Sequence, residues 1–176
     1  MQPERRKVMS VIGSGLTVDP ATEELCVELG KLAIDAGFRV ATGGLAGVME
    51  ASSRGARSSQ LWNDGDVIGV LPGYQVEDAN PYVDVAIPTG LGIARNVVVV
   101  AMADVVVAVG GGSGTLSEIA VSWQLDKPIV ALSSTDGWAA KLAGELIDDR
   151  RSDPVIDART AAEAVDQALK IVASQG

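Results

Sequence analysis

Residues 105–118 read Val105-Val106-Val107-Ala108-Val109-Gly110-Gly111-Gly112-Ser113-Gly114-Thr115-Leu116-Ser117-Glu118. The unbroken apolar run, four of its residues valine, predicts a buried strand of a parallel sheet. The glycine cluster behind it predicts a tight turn, and residues 115–125 then follow a helical pattern. Lacking Cβ atoms, these glycines let the backbone take positive φ and let a ligand approach it closely. The N–H groups that open a helix have no partner inside it, so they point at an anion placed there. Thr115 can add a hydroxyl. Gly111, Gly112, Ser113, Gly114 and Thr115 are therefore candidate phosphate-binding residues. No Lys-Ser/Thr pair follows, so this is not a Walker loop, and it is not a G-x-G-x-x-G dinucleotide fingerprint. A tight turn without a ligand is the alternative reading.

Outward from this stretch, short apolar runs alternate with helical patterns, as stacked βαβ units of a parallel sheet require. Strands are expected at residues 7–12, 39–42, 67–71, 83–87, 104–109 and 128–132. Asp19-Pro20 predicts an N-cap followed by proline at the first helical position, with Gly37 closing the helix. Leu25, Leu29, Leu32 and Ala36 would share its buried face. Further helices are expected to about residue 58, over residues 137–146, and from the capping box Thr160-Ala161-Ala162-Glu163 onward. The last would bury Ala164, Val165, Ala168, Leu169 and Val172. The four valines at 97–100 favour a strand by propensity, yet a parallel neighbour needs a crossover of about a dozen residues. Residues 93–103 are therefore expected to be a helix, apolar all round and buried at a subunit interface. Residues 147–159 read as a polar surface loop around a short edge strand.

Two more glycine turns, Gly13-Ser14-Gly15 and Gly43-Gly44-Leu45-Ala46-Gly47, also follow strands. They should sit on the same carboxyl edge of the sheet, where ligands of such folds bind. Gly13, Ser14, Gly43 and Gly44 join the candidates on that ground. Arg95 and Glu118 each lie near the start of a helix leaving that edge, so they are expected to share the site. Arg54 and Arg57, three residues apart, could reach a phosphate but fit a solvated helix face better. Asp104 should lie at the opposite, amino edge in a structural role. Trp62, Trp123 and Trp138 show no base-stacking pattern.

The chain has 176 residues, enough for one domain, and 47% are apolar. A net charge of −9 argues against nucleic acid or an anionic membrane as partner. A small anion remains open, because helix N-termini supply local positive potential. With no histidine, neither a Ser-His-Asp triad nor a His-ligated metal site can form. Cys26 is the sole cysteine, which rules out an intrachain disulfide, and its helical spacing to Leu29 and Ala33 predicts burial. The charged start of the chain is followed by no apolar run of signal-peptide type. The most apolar stretch, residues 97–109, is interrupted by Asp104 and is shorter than the roughly 20 residues of a membrane span. A cytoplasmic protein is expected.

The motif at 110–118 resembles P-G-G-x-G-T-x-x-E of the LONELY GUY family, long mislabelled as lysine decarboxylases, with Gly110 in place of proline. That family's M-H-x-R-K corresponds to Gly92-Ile93-Ala94-Arg95-Asn96, of which only the arginine survives. The resemblance runs from about residue 7 to 132 and implies a Rossmann-like, doubly wound, mostly parallel α/β domain that binds a nucleoside monophosphate and is usually dimeric; the apolar helix expected at 93–103 itself predicts a homodimer or homotetramer. Members with both motifs intact are phosphoribohydrolases that cleave the N-glycosidic bond of a cytokinin nucleotide, with residues matching Arg95 and Glu118 as the catalytic pair. The molybdenum cofactor carrier branch of the superfamily is similar in more detail. Its T-G-L-G-x-A-R matches Thr89-Gly90-Leu91-Gly92-Ile93-Ala94-Arg95, and its V-A-V-G-x-G-x-G-T-x-x-E-I-A matches residues 107–120. That branch implies a carrier that binds a phosphorylated pterin, the molybdenum cofactor, without turning it over. The decarboxylase label has no support: pyridoxal phosphate needs a Schiff-base lysine, and Lys7, Lys31, Lys127, Lys141 and Lys170 all lie outside the glycine turns.

Overall fold

Seven strands form one parallel sheet in the order β4-β3-β2-β1-β5-β6-β7 in the computed structural model, which describes residues 5–175. The strands are β1 (Val8–Gly13), β2 (Arg39–Thr42), β3 (Val67–Leu71), β4 (Val85–Pro88), β5 (Val105–Val109), β6 (Ile129–Leu132) and β7 (Ile156–Ala158). Every neighbouring pair is parallel. The order reverses between β1 and β5, so the sheet is a doubly wound, Rossmann-like α/β fold with its switch point at the decisive strand. Residues 1–4, part of the charged start read for a leader, lie outside the described residues. Among the described residues no helix is long and apolar enough to cross a membrane.

The period-two alternation of β5 divides the core. Val105, Val107 and Val109 face one layer with α1 (Pro20–Asp35), α2 (Val48–Ser58) and α6 (Ala161–Ser174). Val106 and Ala108 face the other, with α3 (Asn96–Ala101), α4 (Ser113–Gln124) and α5 (Gly137–Leu142). Burial on both faces explains why β5 reads as an unbroken apolar run.

Local signals set most helix ends. The Asp19 side chain accepts from the Thr22 backbone N–H, Pro20 occupies the first turn, and Gly37 takes a φ of +87°. On α1 the most buried line is Cys26, Leu29, Gly30 and Ala33, while Leu25, Leu32 and Ala36 are half-buried at its margin. The shift has a cause: α2 crosses so closely that a Cβ on Gly30 would stand 2.0 Å from the carbonyl oxygen of Ser52. The Thr160 hydroxyl accepts from the Glu163 N–H as a capping box requires, but Glu163 reaches back to the N–H of Arg159, one residue earlier. Leu169 is exposed and Val172 half-buried, contrary to expectation, because the apolar stripe of α6 centres on Ala161, Ala164, Val165 and Ala168.

Residues 93–103 are not one helix buried all round. A 3₁₀ turn, Gly92–Arg95, leads into the six residues of α3. Val99 and Val100 enter the core, whereas Ile93 and Val97 are exposed on this chain. At 137–146 the helix stops at Leu142, because Gly144 donates to Val155 O and Val155 donates to Glu145 O, drawing the chain into extended pairing.

Candidate functional site

The turns after β1, β2 and β5 meet at the carboxyl edge of the sheet, around the switch point. They enclose a cleft of about 340 Å³ lined by Gly13, Ser14, Gly15 and Gly43 on one side and by Gly112, Ser113, Gly114 and Thr115 on the other. Arg95, Asn96 and Glu118 also line it, with Val11, Ile12, Leu45, Met49, Pro72, Gly92 and Ile93 completing the wall. Among the described residues, Arg95 and Glu118 are its only charged lining residues. α4 opens at Gly112 with no side-chain cap, and its first carbonyl bond is Leu116 N to Gly112 O. The N–H groups of Ser113, Gly114 and Thr115 are thus free toward the cleft. Thr115 is buried at the floor of this helix start and lines the cleft.

Two of the candidate glycines stand behind this wall rather than in it. Gly111 has a φ of +88°, and its carbonyl accepts from the Trp138 N–H, while Gly110 O accepts from Ala139 N. The start of α5 therefore holds the back of the β5 turn. Gly110 N donates to the Thr135 hydroxyl, which in turn donates to Leu132 O. Gly44, at φ +73°, donates to Thr42 Oγ1 and accepts from Asn80 N. Both glycines shape the backbone of the site.

Arg95 and Glu118 are brought together. Nη1 of Arg95 stands 3.6 Å from Oε1 of Glu118, with the side chains 11% and 8% exposed. Burial pushes the Glu118 carboxyl up to about 7, against the opposing pull of Arg95. Burial also lowers the Arg95 guanidinium from its ordinary value, and Glu118 draws it back up; the guanidinium stays charged. Arg95 Nη1 donates to Asn96 Oδ1, while Arg95 Nε is buried with no hydrogen-bond partner among the described residues. Asn96 is not among the residues that the sequence marks as binding candidates. Its signal was only its place beside the arginine.

The other polar candidates lie elsewhere. Arg54 pairs with Glu23 at 2.5 Å, and Arg57 lies over Trp62 with Asp84 at 3.5 Å. Both are tied into the α2 surface rather than the cleft. Asp104 accepts from the Val8 N–H and pairs with Arg5 at the amino edge. The Cys26 thiol is buried and pushed up to about 12 by that burial, so it is inert as a nucleophile. Trp123 is buried and donates to Asp148, and Trp62 donates to Asp84.

Comparison with known proteins agrees with this architecture. An uncharacterised protein of Archaeoglobus fulgidus is 39% identical over 124 residues, covering 70% of this chain and 78% of the relative. The molybdenum cofactor binding protein of Rippkaea orientalis superposes with a TM-score of 0.84 at 32% identity, over 97% of this chain and 99% of that one. The molybdenum cofactor carrier protein of Chlamydomonas reinhardtii does so with a TM-score of 0.81 at 31% identity, over 96% and 99%. A family model matches residues 6–165, and the chain therefore belongs to the SLOG cluster4 family.

Proposed function

We propose that this protein is a carrier or binding protein for a small phosphorylated ligand of nucleotide-like or pterin-like form. The observation that carries the reading is the uncapped start of α4, whose free N–H groups open into the same cleft as the buried Arg95 guanidinium. A phosphate placed there would accept from Ser113, Gly114 and Thr115 and gain the helix dipole. Gly13, Ser14 and Gly43 would bound the remainder of the ligand. Two of the solved relatives bind or carry the molybdenum cofactor, so that phosphorylated cofactor is the first cargo to test. The chain has no histidine, and Cys26 is buried under α2, so recognition would rest on phosphate and ring rather than on protein ligands to the metal. We also propose a homo-oligomer, a dimer or tetramer, formed through the apolar strip around α3.

A second reading, a nucleoside 5′-monophosphate phosphoribohydrolase, is favoured by one observation. The Glu118 carboxyl, raised to about 7 next to Arg95, is poised near neutral pH as general acid–base catalysis demands. Native mass spectrometry for co-purifying ligand, followed by incubation with AMP and N6-substituted AMP, separates the two. A carrier retains or binds ligand without releasing base. A hydrolase releases adenine or its N6-substituted form, and Glu118→Gln abolishes that release while leaving affinity nearly intact. Arg95→Ala weakens binding in both cases, by roughly 10–100-fold for a lost charge-assisted contact.

A further inference from the structure

Glu118 and Arg95 are the two charged groups of the cleft, yet they make no direct hydrogen bond: 3.6 Å is too long for one. The same Nη1 that faces Glu118 donates instead to Asn96. This residue is 5% exposed, and both ends of its amide are engaged. Its Oδ1 accepts from Arg95 Nη1, and its Nδ2 donates to Ser117 Oγ at 3.0 Å. Ser117 Oγ in turn donates to Gly114 O at 2.6 Å, in the first turn of α4. The hydrogen-bond directions allow no other assignment: an arginine N–H needs an acceptor, and the single Ser117 proton is spent on Gly114 O. A chain of hydrogen bonds thus runs from the arginine to the N-terminal turn of α4.

We propose that Asn96 is a positioning residue that takes Nη1 of Arg95 and holds the guanidinium apart from Glu118, leaving both charged groups free to meet a ligand. The alternative geometry is within reach, since a small rotation would close the pair, and closure in a buried site would tie up the one cation among the described residues that line the cleft. The ligand part of this inference rests on the reading of the cleft as a phosphate site; the positioning part does not.

Carboxylate NMR titration of the ligand-free protein tests the positioning directly. In Asn96→Ala the guanidinium closes on Glu118, and the Glu118 pKa falls by about one unit or more, as a close opposite charge produces. In an Arg95→Ala background the same Asn96→Ala change leaves Glu118 unmoved, which a merely structural role for Asn96 would not do. Ser117→Ala, which frees Nδ2 and lets the amide turn, shifts Glu118 the same way by less, and stands in should Asn96→Ala fail to fold. A Glu118 pKa that stays put or rises in both variants overturns the proposal. AMP affinity supplies the second arm: it falls about 10-fold in Asn96→Ala when Arg95 is present, and not when Arg95 is alanine. If Glu118 shifts as expected but the wild type binds no AMP or inorganic phosphate, Asn96 keeps its role and the ligand reading fails. If AMP binds and Asn96→Ala leaves its affinity intact, ligand capture does not depend on Asn96 and that part is overturned.

Discussion

The guanidinium of Arg95 lies directly against Gly43: a Cβ built on that glycine would stand 2.5 Å from Nη2 and 2.6 Å from Sδ of Met49. Gly43 does not have a positive φ, so its lack of a side chain serves the arginine rather than the backbone. Both neighbours are ends of flexible side chains, which can move aside. Gly43→Ala is therefore expected to cost only about 1 kcal/mol of stability, yet to displace Arg95 and weaken AMP or phosphate binding about 10-fold. Thermal unfolding and calorimetric titration of one preparation check both halves. A loss of stability without a loss of affinity would refute the link between Gly43 and ligand.

The β5 turn divides its glycines between backbone and cleft wall. Gly111 sits at φ +88°, and a Cβ there would stand 2.1 Å from the Thr115 hydroxyl, so Gly111→Ala should destabilise by about 1–3 kcal/mol. At Gly114 nothing lies within 4 Å of a built Cβ. Gly114→Ala should leave the fold intact or raise its stability by up to about 1 kcal/mol through helix propensity. Because Gly114 lines the cleft, the added methyl should still lower phosphate affinity. The contrast between the two melting curves, set beside the two binding curves, decides the assignment.

Much of this was legible in the sequence because the signals are local. The valine run of β5, the glycine turns after β1, β2 and β5, and the Asp19-Pro20 cap each carry their own geometry. Arg95 and Glu118 could be placed at one edge because parallel strands send every following helix start to the same side. What the sequence hid depends on contacts across the fold. Gly44 and Gly111 look like Gly43 and Gly114 in sequence, and only the neighbours of their missing Cβ atoms tell wall from scaffold. The grip of α5 on the β5 turn depends on Gly137, whose Cβ would stand 2.3 Å from Gly111 O, and no spacing rule links 137 to 111. Asn96 is hidden for the same reason, since its partner Ser117 belongs to another helix.

The strip around α3 gives the third expectation. Leu91, Ile93 and Val97 are 52%, 74% and 46% exposed, a concentration of apolar side chains beside the cleft mouth. At about 25 cal/mol per Å² such surface favours burial against another chain. Light scattering in moderate salt should give a mass of two or four times 18.1 kDa at micromolar concentration. Val97→Glu, which places a charge in the strip without lining the cleft, should reduce it to the monomer. A wild type that is already monomeric would remove the interface.

The last expectation concerns pH, and its sign follows from Glu118. An ordinary glutamate near 4.5 is raised to about 7 in the folded chain by burial. Between those values the folded state holds a proton that the unfolded state has released. Stability therefore falls as pH climbs through that window, because the linkage slope follows the difference in bound protons. At about 1.4 kcal/mol per unit, the whole span corresponds to about 3 kcal/mol. The side chain is 8% exposed, so solvent screens little of this. Glu118→Gln has no proton to release, so its stability should lack this component, whatever its absolute value. Denaturant unfolding of both proteins at pH 4.5, 6 and 8 isolates the term, since every other titrating group is common to the pair. The wild type should lose about 3 kcal/mol more than the variant between the first and last pH. Parallel curves would mean that Glu118 is ionised in the folded state from the start, with Arg95 holding it charged. The cleft would then carry a closed ion pair instead of two separately available groups, and phosphate would have to compete for the arginine.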